Sequence, residues 1–286
     1  MTTFVSDALL AVVAIGRNEG SRLKVCLESA WSGGPVQQVV YVDSGSSDGS
    51  AEYARSRGCR VIDLDMSLPF TAARARNEGF ALALQCEPHL THVQFIDGDC
   101  ELSPDWIASA LAFLNVHPNV VAVCGRRRER YPERSIYNQL CDIEWNTPLG
   151  ETKSCGGDVL MRADALRSVG GYRANLIAGE EPELCIRLRA SGGHIFRLRH
   201  EMTLHDANIL HFGQWWSRSK RAGYAFAEGA ALHGAPPEMH WVRESRSAWI
   251  WGAGIPIMVV IGFVCSHGWP CTPCRQTWRP HRWWPW

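Results

Sequence analysis

The first half of the chain alternates short runs of apolar and β-branched residues with segments whose apolar positions recur at helical spacing. The apolar runs predict five strands, at residues 9–15, 36–42, 60–64, 92–96 and 120–124. The helical spacing predicts four helices among them, at residues 21–31, 51–57, 72–84 and 104–114. Ser103 and Pro104 match an N-cap and a first helical residue. Strand–helix alternation predicts an α/β class with a mainly parallel, Rossmann-like sheet flanked by helices.

The second half is less regular. It predicts strands at 155–161 and 194–198 and helices at 182–190 and 214–232. Residues 249–265 are apolar and uncharged, close to the lower limit of the about 17–25 residues that a transmembrane helix needs. We therefore expect a catalytic-type domain at 1–240, a linker and apolar anchor-like segment at 241–265, and an irregular tail at 266–286.

The composition of the tail differs abruptly from the rest of the chain. It is crowded with Trp, Pro, Arg, His and Cys and has no period. Our hypothesis is that it is aberrant, the product of a reading-frame shift near Cys265, which the DNA sequence would test. Its Cys271-x-x-Cys274 pair is a weak zinc signal, because zinc sites show four ligands in a recognisable spacing.

Composition narrows the function classes. The chain has 286 residues and a formal net charge of zero, so no global field attracts nucleic acid. Hydrophobic residues make up 46% and charged residues 20%, which is an ordinary globular balance. The eleven cysteines are scattered singly as far as Cys185, which predicts reduced thiols in a cytosolic compartment rather than a disulfide framework. The polar N-terminus predicts no signal peptide.

Polar residues follow the predicted strands where each strand ends. Asp43 ends the second strand, Asp97 ends the fourth, and residues 17–19 follow the first. In parallel sheets ligands bind beyond the carboxyl ends of the strands. The Asp97-Gly98-Asp99 turn places two carboxylates beside a glycine, and hard cations such as Mg²⁺ or Mn²⁺ take such oxygen ligands. A plain surface turn is the alternative.

Five segments in this order resemble family 2 glycosyltransferases. They are residues 13–19, 42–49, 75–79, 97–99 and 179–184, within a match that covers roughly residues 9–234. The resemblance implies a GT-A fold, an inverting mechanism, a UDP- or GDP-sugar donor and a divalent cation, Mg²⁺ or Mn²⁺. It implies a saccharide or lipid-linked acceptor, with exopolysaccharide or cell-envelope assembly as the setting. Together with the apolar segment, it predicts a protein on the cytoplasmic face of the cell membrane.

The resemblance also implies roles for individual residues. Donor binding falls to Arg17, Glu19, Asp43, Arg74, Arg76, Asn77, Asp97 and Gly98. The cation falls to Asp97, Asp99 and His205. Acceptor binding falls to Gly156, Gly157 and Asp158. Catalysis falls to Glu181, the general base, with Glu180 beside it, although the family usually has aspartate at the position of Glu181.

Each role has a simpler alternative. Asp43 and Asp158 could be turn formers, His205 a surface histidine, and the two glutamates a favourable start for a helix. Arg74 could replace Arg76 as the working guanidinium. Residues 214–224 mix tryptophans with basic residues, which fits an interfacial helix, a diphosphate-binding element or a buried amphipathic helix.

Two other classes of protein compete with a glycosyltransferase. A sugar nucleotidyltransferase would also use paired carboxylates, but it needs a glycine-rich phosphate loop, and residues 16–19 lack the extra glycines. A non-catalytic, membrane-associated nucleotide-sugar-binding module would bind the donor without transferring the sugar. Pyrophosphate release from a nucleoside triphosphate would identify the first, and binding without turnover the second.

Overall fold

A computed structural model describes residues 8–268 of the chain, without the side chains of residues 267 and 268. Its strands are β1 (Leu10–Gly16), β2 (Val36–Asp43), β3 (Arg60–Asp63), β4 (His92–Asp97), β5 (Cys100–Leu102), β6 (Val120–Glu129), β7 (Gly150–Glu151), β8 (Val159–Arg162) and β9 (His194–His205). Its helices are α1 (Ser21–Ser32), α2 (Ser50–Ser56), α3 (Ala72–Cys86), α4 (Trp106–Val116), α5 (Ile136–Glu144), α6 (Ala163–Ser168), α7 (Glu180–Ala190), α8 (Phe212–His233), α9 (Val242–Trp249) and α10 (Ile255–Gly268).

The strands form one mixed sheet in the order β3-β2-β1-β4-β8-β6-β9-β5, and β7 pairs with β9. Strands β1 to β4 are parallel to one another, as the sequence predicts. Strand β8 runs antiparallel to both of its neighbours, and β6 and β9 are again parallel. The α/β class with a GT-A-like sheet is therefore confirmed, with the parallel pattern interrupted at β8.

The core lies along the central strands. Residues 10–14 of β1 are completely buried, so both faces of this strand are covered, as is usual where helices flank a parallel sheet. Trp106 at the start of α4 is also fully buried, and its indole N–H donates to the side-chain oxygen of Gln94 at 2.8 Å. This hydrogen bond satisfies two polar groups that would otherwise be costly in the core.

Some element boundaries differ from the sequence prediction. Helix α4 begins at Trp106 after an Asp105 cap, and Ser103 contributes its carbonyl oxygen rather than a side-chain cap. Helix α7 begins at Glu180, two residues before Pro182, after Gly179 in a left-handed conformation. Strand β8 starts only at Val159, since Gly156 has φ 100° in the loop before it. The sequence pattern did not predict β5, α5, β7, α6 and α9, nor the extensions of β6 to Glu129 and of β9 to His205.

Helix α7 is tied to its surroundings by the carboxylate of Glu183, which is 2% exposed. Arg187 donates to both of its oxygens, and Arg173 and His233 of α8 approach it at 3.3 and 3.2 Å. Burial opposes ionisation, but the hydrogen bonds and charge of Arg187 outweigh it, so the pKa of Glu183 lies below its ordinary value. This carboxylate therefore stabilises the fold while it is ionised.

We expect the Glu183→Gln variant to lose about 1.5–3 kcal/mol of unfolding free energy at pH 7, because it removes the buried charge that accepts hydrogen bonds from the partly exposed Arg187 and Arg173. A lowered folded-state pKa contributes stability above the unfolded pKa, and that stability is lost as pH falls through the folded value. The deficit of the variant should therefore shrink below about pH 4.5. Urea unfolding in detergent at pH 7 and pH 4 measures it. Glu238→Gln, at the more exposed pair with Arg189, is the control and should cost less than about 1 kcal/mol.

The C-terminal helices are continuous. Helix α9 passes through a π-helical stretch, Ile250–Gly254, into α10. Among the described residues, one helix is long and apolar enough to cross a membrane, Val242–Ser266. None of the residues in its most apolar stretch is buried. This helix starts earlier than the apolar run at 249–265. Most of the tail at 266–286, with Cys271 and Cys274, lies outside the described residues.

Candidate active site

The predicted site residues at the ends of β1, β2 and β4 lie at one edge of the sheet. The strand register places Ile15 opposite Asp97 and Gly16 opposite Asp43. The expectation of a shared edge is therefore confirmed for the strand-terminal residues. The contacts of each side chain show which of them can reach a bound ligand.

Arg76 connects two acidic groups from distant parts of the chain. Its guanidinium is 3% exposed and contacts Oδ1 of Asp97 at 2.8 Å and Oε1 of Glu180 at 2.7 Å. Thr71 caps α3 by accepting from the N–H of Arg74, which fixes the helix start from which Arg76 projects. Arg76, rather than Arg74, is the guanidinium at the carboxylates.

A second arginine on Asp97 was missed from the sequence. The Nη2 of Arg127, near the end of β6, lies 3.1 Å from Oδ2 of Asp97, and its Nε lies 3.3 Å from Oδ2 of Asp158. Its guanidinium also lies over the ring of Trp145 at 5.2 Å. The sequence feature that could have indicated Arg127 is the run of three arginines, residues 126–128, after the apolar strand. Burial opposes ionisation of Asp97, but Arg76 and Arg127 outweigh it, so its pKa is lowered.

Asp99 is paired with the predicted histidine. Nε2 of His205, at the end of β9, lies 3.3 Å from Oδ2 of Asp99, while Glu129 lies 3.6 Å from Nδ1. Burial opposes the charged forms of both groups, but their mutual hydrogen bond lowers the pKa of Asp99 and, with Glu129, raises that of His205. His205 is therefore part of the site, and not the free surface histidine considered as the alternative.

The two carboxylates of the Asp-Gly-Asp turn line one cavity of 610 Å³. Its opposite wall comes from α8, whose first half is largely exposed rather than buried. Arg218 on that wall is paired with Glu144 at 2.9 Å, and the exposed Arg221 forms no ion pair among the described residues. Other polar residues around the cavity are Arg127, His205, Gln214 and Ser217. The cavity therefore has the two acids, with Arg127 and His205, on one wall and the arginines of α8 on another.

The loop after β1 approaches the same turn. A Cβ on Gly98 would lie 3.1 Å from the carbonyl oxygen of Ile15 and 3.2 Å from Cγ of Glu19, so only glycine fits easily. Burial and the charge of Asp99 raise the pKa of Glu19, although Arg22 pairs with it at 2.6 Å. Arg17 is exposed at the start of this loop. Roles for Arg17 and Glu19 toward a donor stay predictions.

Asp43 is buried and shapes the loop that follows it. Its Oδ2 accepts from the N–H groups of Gly45 at 3.0 Å and Ser46 at 2.7 Å, and its Oδ1 accepts from the Tyr41 hydroxyl at 3.1 Å. These contacts establish the turn-forming role that the sequence left open. Contact with the donor stays a prediction for Asp43.

Three side chains that were predicted to bind donor or acceptor make hydrogen bonds within the protein instead. Both polar atoms of the Asn77 amide bond the backbone of Tyr172, at 2.7 and 2.8 Å. Arg74 donates to the carbonyl of Asp65 at 2.8 Å. Asp158 accepts from the Asp97 N–H at 3.0 Å and from the Thr203 hydroxyl at 2.8 Å, and it is 1% exposed. Direct ligand roles for these three side chains do not fit these contacts.

Glu181 is also placed differently from the prediction. Its carboxylate is 4% exposed and accepts from the Cys155 N–H at 2.5 Å and the Cys185 thiol at 2.8 Å. Burial raises its pKa. Successive residues of an α-helix point about 100° apart, so only one of the two glutamates can face Arg76 and Asp97. That residue is Glu180, which is 15% exposed.

A family model described as glycosyl transferase family 2 matches residues 12–163, just over half of the chain. The chain belongs to glycosyl transferase family 2. The matched region contains Asp43, Arg76, Asp97, Asp99 and Arg127. A search of curated proteins gives no match to this sequence.

Solved structures share the fold of this family 2 glycosyltransferase. The mannosyltransferase PcManGT from Pyrobaculum calidifontis, in complex with GDP-Man and Mn²⁺, matches at a TM-score of 0.62 and 19% identity, covering 91% of this chain and 76% of its own. TarS 1–349 from S. aureus with UDP-GlcNAc matches at 0.55 and 15%, covering 69% and 58%. The longer TarS structure matches at 0.55 and 14%, covering 80% of this chain but only 46% of its own.

Gly157 gives a direct test of how closely the glycosyltransferase site is packed. A Cβ there would lie 2.9 Å from Oδ2 of Asp97 and 3.1 Å from Nη2 of Arg76. We expect Gly157→Ala to lower kcat by about 10-fold or more by displacing the Arg76–Asp97 pair, since small misplacements cost rate. Gly213→Ala, on the cavity rim with open space around it, is the control and should keep its activity. Equal rates for both variants would contradict this packing.

Proposed function

We propose that this enzyme transfers a sugar from a UDP- or GDP-sugar to a hydroxyl of a saccharide or lipid-linked saccharide, with inversion at the anomeric carbon. The observation that carries the proposal is that Asp97 and Asp99 face one cavity, with Arg76 and Arg127 on Asp97. The fold neighbours with UDP-GlcNAc and with GDP-Man support a donor of this class.

The proposed cation would be held by Asp97, Asp99 and His205. The donor set fits Mg²⁺ or Mn²⁺, because it offers carboxylate oxygens and one imidazole nitrogen at a cavity wall. A carboxylate oxygen of Glu129 lies 3.6 Å from Nδ1 of His205, on the side of the ring where ligating histidines usually have a carboxylate partner. When bound, the cation would neutralise charge on the leaving diphosphate. The complex of PcManGT with GDP-Man and Mn²⁺ supports this cofactor.

The protein's own cations would complete binding of the diphosphate. Arg127 holds Asp97 in place and lines the cavity, and Arg221 faces it from α8 without a carboxylate partner among the described residues. Guanidinium groups bind phosphate oxygens in bidentate geometry. We propose that Arg221 binds the diphosphate or an anionic acceptor group, while Arg76 fixes Asp97 and Glu180 relative to each other.

Glu180 is the general base in this proposal, in place of Glu181. Inverting displacement needs a carboxylate that takes the acceptor proton on the side opposite the leaving group. Glu180 is partly accessible and sits at the N-terminus of α7, where the helix dipole favours the anion. Glu181 instead accepts a hydrogen bond from the loop that begins at Cys155, and its carboxylate is almost fully buried. In this arrangement it cannot take a proton from an acceptor hydroxyl.

Membrane association is proposed for the apolar helix, in keeping with an enzyme at the cytoplasmic face of a cell membrane and with a role in exopolysaccharide or cell-envelope assembly. The side chains of Ile257 and Val260 are more than half exposed, so replacing them costs little in the fold. Each arginine near the centre of a spanning helix costs about 2.5–3.5 kcal/mol of insertion. The double variant Ile257→Arg, Val260→Arg should leave the membrane fraction, while Ile257→Leu, Val260→Leu should stay there after a carbonate wash. Equal partitioning of both would contradict the proposal.

The function is tested by a donor screen on the purified protein. UDP- and GDP-sugars are supplied with Mn²⁺ or Mg²⁺ and saccharide or lipid-linked acceptors, and release of the nucleoside diphosphate and the new glycoside are measured. The proposal expects release with at least one donor and its loss in EDTA. Pyrophosphate release from a nucleoside triphosphate would instead support a nucleotidyltransferase, and donor binding without turnover a binding module.

A further inference from the structure

Two neighbouring helices beside the cavity present exposed apolar side chains, which together we call the α5–α8 face. Helix α5 contributes Ile136, Leu140 and Ile143, which recur at helical spacing and are 64%, 45% and 64% exposed. Helix α8 contributes Phe212 and Trp216, which are 58% and 50% exposed. The proposed transfer of the sugar uses none of these five side chains, so the active site does not account for their exposure.

Aromatic contacts join the two helices into one surface. Tyr137 of α5 stacks on Trp215 of α8, with 6.0 Å between the ring centroids. Phe212 in turn contacts Trp215 at 5.7 Å and Trp216 at 6.1 Å. A contiguous exposed apolar surface marks a site that binds a protein or a membrane, and tyrosine and tryptophan are enriched at membrane–water interfaces. The composition of the face therefore favours a membrane as its partner.

The helix of residues 242–266, which we call the membrane helix, runs back along α8 in the opposite direction. Just before it, the ring of Trp241 packs on α8 so closely that a Cβ on Gly229 would lie 2.5 Å from the ring. Further along, Ser247 of the membrane helix borders the same surface groove as Ser219 of α8. The two helices are therefore antiparallel, and the membrane helix returns toward the start of α8.

The level of the membrane follows from where the membrane helix becomes apolar. Its first two turns carry Arg243 and Arg246, and its apolar part starts at residues 249–251, Trp-Ile-Trp. Basic residues followed by tryptophan at the edge of an apolar span are typical of the cytoplasmic interface. Because each helix rises about 1.5 Å per residue, antiparallel packing places Trp216 level with residues 250–254. The α5–α8 face therefore lies where the membrane helix enters the bilayer.

The cavity lies beside the same end of α8. Gly213, Gln214 and Ser217 line the cavity, and they alternate along the helix with Phe212 and Trp216 of the face. The cavity and the face therefore share the first turns of α8. A group in the cavity next to these residues lies within about 10–12 Å of the face, the diameter of a helix with its side chains.

We propose that the α5–α8 face rests on the cytoplasmic surface of the membrane beside the membrane helix, and that the acceptor is a saccharide whose lipid anchor stays in that membrane. This placement rests on the proposed function, from whose two acceptor classes it selects the lipid-linked one. Its support is the level that the face, the cavity and the start of the apolar part of the membrane helix have in common.

Placement on the membrane selects the acceptor class by proximity. A saccharide joined to a membrane-embedded lipid is confined to the same surface as the enzyme, which raises its effective concentration at the cavity. A free saccharide in the cytosol gains nothing from the exposed apolar side chains. The face is therefore expected to act on the encounter with the acceptor and to leave binding of the donor unchanged.

Photo-crosslinking tests directly what covers the face. The full-length protein is reconstituted in vesicles of phosphatidylethanolamine and phosphatidylglycerol with a benzophenone side chain in place of Ile143. The control carries it in place of Val116, which is 68% exposed at the end of α4. Illumination should attach lipid at position 143 and not at position 116. A product at position 143 that contains no lipid, whether joined to a second copy, to residues 269–286 of the same chain or to nothing, would overturn the proposal.

Transfer rates test the acceptor class. Each saccharide of the acceptor screen is offered free in solution and attached to polyprenyl diphosphate in the same vesicles. The lipid-linked form should react with a kcat/KM at least about 10-fold higher, because the membrane concentrates it. The double variant Ile136→Glu, Ile143→Glu should lower that value at least about 10-fold by placing charges against the membrane, while Val116→Glu should keep it. Donor affinity by calorimetry should be equal in all three proteins.

Failure of the membrane placement and failure of the proposed function give different results. Equal kcat/KM for the free and the lipid-linked forms, or for the double variant and wild type, would overturn the lipid-linked acceptor while leaving sugar transfer established. Absence of transfer to every acceptor would contradict the proposed function, and the crosslink at position 143 would still decide whether the face rests on a membrane.

Discussion

Replacing Glu180 with glutamine is expected to lower kcat for sugar transfer by about 10²–10⁴-fold, the usual contribution of a general base. Glutamine keeps the size of the side chain and can still accept a hydrogen bond from Arg76, but it cannot take a proton. Donor affinity should change little, because Glu180 acts on the acceptor hydroxyl. Glu181→Gln is the matched variant one residue further along α7, and its kcat should fall by less than about 10-fold.

Steady-state kinetics with saturating donor, together with calorimetric donor binding, measure this pair of variants. The expected result is a large loss of kcat at Glu180 with unchanged donor affinity, and near-normal turnover at Glu181. A large loss of kcat at Glu181 with near-normal turnover at Glu180 would identify Glu181 as the base. It would also mean that α7 rotates during catalysis. A large loss for both would mean that the carboxylates act as a unit.

Replacing Asp99 with asparagine is expected to lower kcat by at least about 10²-fold, because several kcal/mol of stabilisation of the leaving diphosphate depend on the cation. Asparagine keeps an oxygen for His205 but loses the charge that holds a divalent ion. The loss should not be rescued by raising Mn²⁺ to millimolar levels.

Asp63→Asn is the control for this prediction. Asp63 also ends a strand of the parallel half of the sheet, but it is exposed and pairs with Arg55 away from the cavity. Its kcat should stay within about two-fold of wild type, since surface ion pairs contribute little. Normal turnover in Asp99→Asn would show that this carboxylate does not hold the cation.

The sequence predicts the parallel half of the fold well because local signals agree there. The runs that form β1 and β2 are apolar at consecutive positions, since both faces of these strands are buried, and turn residues mark their ends. Asp97 and Asp99 follow such a run, so their place at the sheet edge can be inferred without knowing the rest of the structure. The register of β1 with β4 confirms that placement for Asp97.

The remainder of the site depends on contacts between distant residues. Arg127 reaches Asp97 only because β6 is separated from β4 by the antiparallel β8. His205 reaches Asp99 because β9 extends seven residues beyond the predicted end and pairs with β5. No local period encodes either pairing.

Which of Glu180 and Glu181 is the general base depends on where helix α7 begins. Placing the start of α7 at Pro182 leaves the directions of Glu180 and Glu181 open, whereas a start at Glu180 fixes both. The contacts then divide them: Glu180 pairs with Arg76, and Glu181 turns to Cys155 and Cys185. An error of two residues in a predicted helix boundary is ordinary. Here it changes which of the two adjacent glutamates is predicted to face the site.

Calorimetric titration of UDP and GDP into the wild-type protein, with Mn²⁺ and with EDTA, tests most directly whether the acids of the Asp-Gly-Asp turn hold a cation for a nucleoside diphosphate. We predict that at least one of the two nucleotides binds with Mn²⁺, and that EDTA or Asp99→Asn weakens binding at least about 10-fold. Binding that is equally tight in EDTA and in Asp99→Asn, or no binding of either nucleotide, would contradict it.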